Sequence, residues 1–442
     1  MTTTRTPHLL GNFAPVTDEL TTYDLPVTGA IPPELTGWYL RNGPNPHEAN
    51  TGHWFLGDGM VHGVRLENGQ ATSYRNRWVR TKSGPFRDEH GNPDLAVGVA
   101  NTHVVRHAGR TFALVESSYP YELDLRPGRE LDTVGPYDFD GKLGTAMTAH
   151  PKTCPATGEL HFFGYDVRAP FLTYHRADVT GDLVVSRPID VPGATMMHDF
   201  QLTERFVVFL DLPVVFDPEL AMGPVKTMPY TWQPGYGARL GVLRREDPYG
   251  AVRWLSIDPC YVFHTLNAYD DGQRIVLHVA RYPHLNAPEL SEASATLWRW
   301  TVDLVSGTVT EEQLDDQPAE FPRVDDRLAG RESRYGQLVT TGGGTDRPSA
   351  LLRYDLRGGE VHRHEFGPGR HAAEASFAPA DDRPGGPGWL MTYVYDAATD
   401  TSDLVILDAD ELGRPPVATI HLPRRVPYGF HGNWLPHEPV TD

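Results

Sequence analysis

Residues 62–79 read HGVRLENGQATSYRNRWV, and residues 102–116 read THVVRHAGRTFALVE. In each, two runs of alternating apolar and polar residues flank a two-residue turn, Asn68-Gly69 in the first and Ala108-Gly109 in the second. Alternation of period two places one set of side chains on each face of a strand. A two-residue hairpin turn needs left-handed backbone, which Asn and Gly reach at little cost. Both stretches therefore predict antiparallel hairpins. The pattern recurs in ELHFFGYD (159–166), RFVVFLDL (205–212), RLGVLRRE (239–246), RIVLHVARY (274–282), TLWRWTVDLVSGTVT (296–310), ALLRYDLRGGEVHRHEF (350–366) and DLVILDA (403–409). Further turns fall at Ser306-Gly307 and Gly358-Gly359, and the 43 Gly and 39 Pro suit a chain of many turns.

Helical periodicity is nearly absent, so the fold class is all-β. Many short strands evenly spread suggest a sandwich, a barrel or a propeller. At 442 residues a sandwich or barrel would divide into two domains, and no stretch has the composition of a linker. The Gly-rich patches at Gly342-Gly343-Gly344 and at 383–388 are short enough to be loops. A propeller of roughly 4–8 four-stranded blades absorbs residues 1–442 as a single domain, although no repeat of fixed period is visible. Two segments interrupt the pattern. About residues 1–34 read as an N-terminal extension, and about 213–237 read as a cap insertion, with loops and helix, over one face.

A formal charge of −19 repels nucleic-acid phosphates, and no basic stripe offsets it. The two cysteines, Cys154 and Cys260, have no zinc-ribbon or redox spacing, which fits a reducing compartment. MTTTRTPHLL contains no apolar signal core, and no run approaches the ~18 apolar residues of a membrane span. The expectation is a cytoplasmic chain, with room for peripheral contact with a membrane surface.

Four of the twenty histidines have a distinctive setting: His150 in TAMTAHPKT, His198 in ATMMHDFQLT, His264 in CYVFHTLNAYDDG and His431 in VPYGFHGNW. Each lies beside small, apolar or aromatic residues near a strand-like run. Positions so distant converge only on a closed radial framework. None of the four forms a local metal motif, so on the residues alone a shared metal site and structural histidines both stand. No G-x-S-x-G elbow supports a hydrolase.

RNGPNP (Arg41–Pro46) followed by HWFLGDGMVHG (His53–Gly63) resembles the opening signature of the carotenoid cleavage oxygenases. AHPK, MHDF, FHTLNAYDD and FHG resemble that family's four metal-ligand motifs, in order. EFPRVDDRLAGRESRYG (320–336) and EASFAPADDRPGGPGWLMTYVYD (374–396) resemble two further family segments, so the likeness runs from about Leu35 to Trp434. It implies a seven-bladed propeller with Fe(II) on its axis, held by His150, His198, His264 and His431. It also implies glutamates behind three of them: Glu116 with His198, Glu320 with His264 and Glu374 with His431. Such carboxylates would fix each imidazole's tautomer and offset the metal's charge. By its neighbours Asp315 and Asp316, Glu320 reads as a surface acid; only the resemblance promotes it. Nitrogen ligands suit Zn, Cu or Fe alike, so iron comes from the family. Four histidines leave two octahedral positions for O₂ and solvent, and Thr102 matches the small β-branched residue that crowds one of them.

The implied reaction is oxidative cleavage of a conjugated C=C bond of a carotenoid or apocarotenoid by O₂, giving two carbonyl products. Trp54, Phe55, Phe263 and Tyr282 match tunnel positions. Stilbene-cleaving members carry a lysine just before the first supporting glutamate, where this chain has Val115. A valine cannot donate to a phenolate, which favours a carotenoid over a 4-hydroxystilbene. A stilbenoid or phenylpropanoid alkene remains the enzymatic alternative, and a metal-free binding propeller the alternative of another class. Scissile bond, substrate length and oligomeric state are left open.

Overall fold

The computed structural model describes residues 9–47, 53–85, 92–223, 228–285, 294–341 and 349–437. Seven antiparallel sheets of at least four strands follow one another around a ring, so the fold is a seven-bladed β-propeller. In chain order the innermost strands are His103–His107, Lys152–Thr153, Phe200–Leu202, Tyr261–Asp270, Ala319–Arg323, the split pair Arg370–Ala372 and Ser376–Pro379, and finally Gly432–Pro436. That last strand pairs with Gly37–Pro44, so one blade is assembled from both ends of the chain and the ring is closed. Closure leaves no open sheet edge at the seam.

The turns form as the sequence predicts. Asn68 and Gly69 take φ of 50° and 77°, and Ala108 and Gly109 take 48° and 73°. Between blades the packing is dense and aromatic: Tyr39, Tyr74, Tyr121, Tyr174 and Trp300 are fully buried. A buried hydroxyl is costly unless bonded. Tyr74 and Tyr174 meet this by pairing with His62 Nδ1 at 2.8 Å and His161 Nδ1 at 2.7 Å. These histidines belong to the core.

The N-terminal stretch is not an appendage along its described length. Leu20–Tyr23 pairs with Gln70–Trp78, and Val27–Gly29 pairs with Ala418–His421, so the stretch supplies the outermost strands of two blades. These edge strands are short, the first mostly half-buried and the second exposed, so they carry no apolar alternation and leave no signal in sequence. The insertion at 213–237 lies between two neighbouring strands of one blade. It forms a hairpin of Val214–Phe216 with Tyr230–Trp232, plus the five-residue helix Pro218–Met222. Asp217 caps that helix, accepting from the N–H groups of Glu219 and Leu220 at 2.9 and 3.2 Å. Residues 224–227 of the cap, residues 1–8 of the N-terminal stretch and the patch Gly342-Gly343-Gly344 lie outside the described residues. Residues 383–387 form a loop, as expected, and Gly388 opens the strand Gly388–Asp396. No described helix is long and apolar enough to cross a membrane.

Gly59 marks where the first complete hairpin meets the next blade. Its N–H donates to Val99 O at 2.8 Å, and an added Cβ would collide with the carbonyl oxygens of Val99 and Ala100. The partner is backbone and cannot swing away. Gly59→Ala should therefore destabilise the fold by about 1–3 kcal/mol in chemical unfolding. Gly413→Ala, whose Cβ meets nothing within 4 Å, should change it negligibly.

Candidate metal centre

Each blade contributes one residue from its innermost strand or the residues beside it to a single cluster: Thr102, His150, His198, His264, Glu320, Glu374 and His431. The four imidazoles meet there. His150 Nε2 lies 3.0 Å from His198 Nε2. The ring centroids of His150, His264 and His431 are 4.6–5.1 Å apart, and each offers a nitrogen within 4.8 Å of the others. His198 lies 4.5 Å from His150 and 5.2 Å from His264 by ring centroid.

Behind three of these rings stands a carboxylate. Glu116 Oε2 is 2.6 Å from His198 Nδ1, Glu320 Oε2 is 2.7 Å from His264 Nδ1, and Glu374 Oε1 is 2.9 Å from His431 Nδ1. A carboxylate only accepts, so each Nδ1 carries the proton and each Nε2 keeps its lone pair for the axis. His264 Nε2 is buried without a hydrogen-bond partner among the described residues, as a nitrogen reserved for a metal would be. Burial pushes His150 and His431 well below the ordinary imidazole value, and the neighbouring rings add to the effect. For His264 burial is again the largest effect and acts in the same direction, but the Glu320 carboxylate together with Asp199 and Glu374 raises the value.

Glu320 is 4% exposed, so its acidic neighbourhood misleads as to its place. The backbone turns it inward. The ladder slips between Glu320 and Arg323, and Phe321 takes a left-handed φ of 55°. Such a conformation is costly for a bulky residue, about 1–3 kcal/mol. Here it lets the Phe321 N–H donate to Glu320 Oε2 and stacks the Phe321 ring on His264 at 5.4 Å. Glu374 is equally tied down: Oε2 accepts from Gly432 N at 2.8 Å and from Arg323 Nη1 at 3.1 Å.

The charges test whether a metal fits. Glu116, Glu320, Glu374 and the buried Asp199 carry four negative charges, while Arg323 and Lys152, each bonded to one of them, carry two positive ones. Neutral imidazoles add nothing. Arg323 also pairs with the exposed Asp326 at 3.0 Å, so negative charge stays in excess around the four rings, and a divalent cation at the axis would offset it.

One side of this cluster opens into a cavity of about 670 Å³ with largely apolar walls. Trp54, Phe55, Thr102, Val115, Phe263 and Tyr282 all line it. Phe430 joins Trp54 and Phe55 at centroid distances of 4.7 and 5.3 Å, while Phe263 packs edge-on to His198 at 5.2 Å. The Thr102 hydroxyl donates to Asn101 Oδ1 at 2.9 Å, so this side chain brings bulk to the site rather than a free donor. Asn101 in turn donates to Phe55 O and Gly57 O at 2.9 and 2.7 Å, fixing the turn that carries Trp54 and Phe55. The cap adds Phe216, Met228 and Tyr230 to the wall. Sequence reading missed Phe321, Phe430 and Tyr165. Phe430 is next to a singled-out histidine, a signal that could have found it, whereas nothing in the sequence marks Phe321.

A propeller with imidazoles and carboxylates on its axis, at the end of an apolar cavity, defines a metal-binding enzyme scaffold. The chain belongs to the retinal pigment epithelial membrane protein family, whose model matches residues 13–436. It is 40% identical to the carotenoid cleavage oxygenase of Mycobacterium tuberculosis, over 97% of each chain. It is 33% identical to carotenoid 9,10(9',10')-cleavage dioxygenase 1 of Arabidopsis thaliana, over 98% of this chain and 91% of that one. Among solved structures, lignostilbene dioxygenase from Pseudomonas brassicacearum superposes with a TM-score of 0.86 at 30% identity, over 98% of this chain and 99% of that one. Cobalt-substituted Synechocystis ACO superposes with a TM-score of 0.83 at 26% identity, over 96% and 97%.

Removing one carboxylate tests how the cluster is held. Glu320→Leu leaves the buried Nδ1–H of His264 and the N–H of Phe321 without their acceptor. Stability should fall by about 1–3 kcal/mol in denaturant titration of metal-free protein. An unchanged midpoint would mean that the contact adds nothing to the fold.

Proposed function

We propose that this chain is an Fe(II)-dependent dioxygenase that cleaves a conjugated C=C bond of a carotenoid or apocarotenoid. The observation that carries this is the convergence of four imidazoles at the end of an apolar cavity large enough for a drug-sized or longer ligand. His150, His198, His264 and His431 would hold the iron, with Glu116, Glu320 and Glu374 orienting the last three. Iron(II), when bound, supplies the redox chemistry that lets O₂ react with an electron-rich alkene. The balance is simple: one C=C bond and one O₂ become two C=O groups, with no external reductant.

The chain's own residues select and place the alkene. Trp54, Phe55 and Phe430 on one side and Phe263 and Tyr282 on the other offer flat apolar surfaces to a polyene. Thr102 narrows the space beside the histidines. The aromatic and aliphatic lining keeps bulk water from the reacting bond. In the cap, Ala221 and Met228 line the cavity while Met222 stands 79% exposed, which suits peripheral contact with a membrane surface that holds lipophilic substrate.

The similarity to lignostilbene dioxygenase favours a second reading, cleavage of a stilbenoid alkene. Val115 weighs against it. It lines the cavity beside Glu116 and can neither pair with nor donate to a phenolic oxygen.

Protein loaded anaerobically with Fe(II) and then given air should convert an apocarotenal to two carbonyl products and leave a 4-hydroxystilbene intact. Stilbene cleavage alone would reverse the substrate assignment. Val115→Lys should raise the stilbene-to-apocarotenal rate ratio by about tenfold or more, the worth of one charge-assisted hydrogen bond; an unmoved ratio would remove Val115 from the argument. His264→Ala should abolish turnover and most of the bound iron.

A further inference from the structure

Asp199 follows His198 and is 2% exposed. Its Oδ1 accepts from its neighbour Phe200 N and from Lys152 Nζ, both at 2.8 Å. Its Oδ2 accepts from Thr265 N at 2.8 Å and Thr265 Oγ1 at 2.6 Å. Lys152 lies two residues after His150, and Thr265 directly follows His264. One carboxylate thus ties together the innermost strands of three blades, each at the point where it presents a histidine to the axis.

No ladder joins these three strands, since each belongs to its own sheet. Apolar packing between blades is tolerant of small slides, whereas a metal site needs its donors held within about 0.5 Å. A buried Lys–Asp pair is a poor source of stability, because removing both charges from water offsets their attraction. What it does supply is geometry: four directed bonds from one side chain. Gln201 Nε2 extends the set by donating to Thr265 Oγ1 at 2.9 Å. His431 is fixed separately, through Glu374 and Arg323, and Arg323 Nη1 also donates to Gly432 O at 2.8 Å.

We infer that Asp199, with Lys152 and Thr265, is a positioning group that sets the mutual spacing of His150, His198 and His264. The inference rests on the reading of these histidines as metal ligands. It predicts that loosening the carboxylate changes the metal's ligand field before it unfolds the propeller.

The test uses the full chain loaded with Co(II), whose visible absorption reports ligand geometry, and anaerobic Fe(II) competition against a chelator. Asp199→Asn keeps the shape but sets an amide N–H₂ against either Lys152 or the Thr265 N–H. It should lower Fe(II) affinity about 10–100-fold and alter the Co(II) spectrum. Thr265→Val removes the hydroxyl's bonds to Asp199 and Gln201 but keeps the Thr265 N–H bond, and should give a smaller change in the same direction; it decides the matter if Asp199→Asn does not fold. Variants with wild-type spectrum and affinity would overturn the inference. A wild-type chain that takes up neither Fe(II) nor Co(II) would instead overturn the metal-centre reading beneath it.

Discussion

Closure of the ring is the constraint on which the rest depends. Seven twisted sheets arranged radially bring one residue from each innermost strand to a common axis, and the seam is held by Gly432–Pro436 against Gly37–Pro44. Residues far apart in sequence thereby become neighbours without any local motif. The seam strand is also preceded by His431, so the pairing that completes the fold sets the last imidazole in place. Fold and site share one condition.

Electrostatics then determines what the axis can hold. Three imidazoles have a carboxylate behind them, Glu374 is further held by backbone and Arg323 donors, and two half-buried cations offset part of the negative charge. The remainder suits a dication bound by neutral ligands. Because neutral imidazoles bring no charge of their own, the balance is set one layer further out, at residues such as Arg323 and Lys152. The cavity above is nearly the opposite in character, apolar and aromatic, which suits a long conjugated hydrocarbon and keeps the charged layer dry.

The hairpins were legible in sequence because Asn68-Gly69 and similar pairs announce their turns and because the strands alternate cleanly. The histidines were legible only in part: apolar settings singled out His150, His198, His264 and His431, but their convergence came from a family resemblance, since strand spacing around a ring is not encoded locally. One feature escaped, and another was legible only through the resemblance. The edge strands Leu20–Tyr23 and Val27–Gly29 are half-buried to exposed and unpatterned, so nothing in residues 1–34 reads as β. Glu320 sits in an acidic stretch, and its burial accompanies a left-handed Phe321 backbone, which sequence does not advertise. Asp199 and Lys152 likewise look like ordinary surface charges until the blades bring them together.

The most direct test of the account is X-ray absorption at the iron edge of Fe(II)-loaded protein. Four imidazole nitrogens in the first shell, with the outer-ring scattering that histidines produce, are predicted. A first shell dominated by oxygen, with fewer than four imidazoles, would contradict the assignment of His150, His198, His264 and His431 as the metal's ligands.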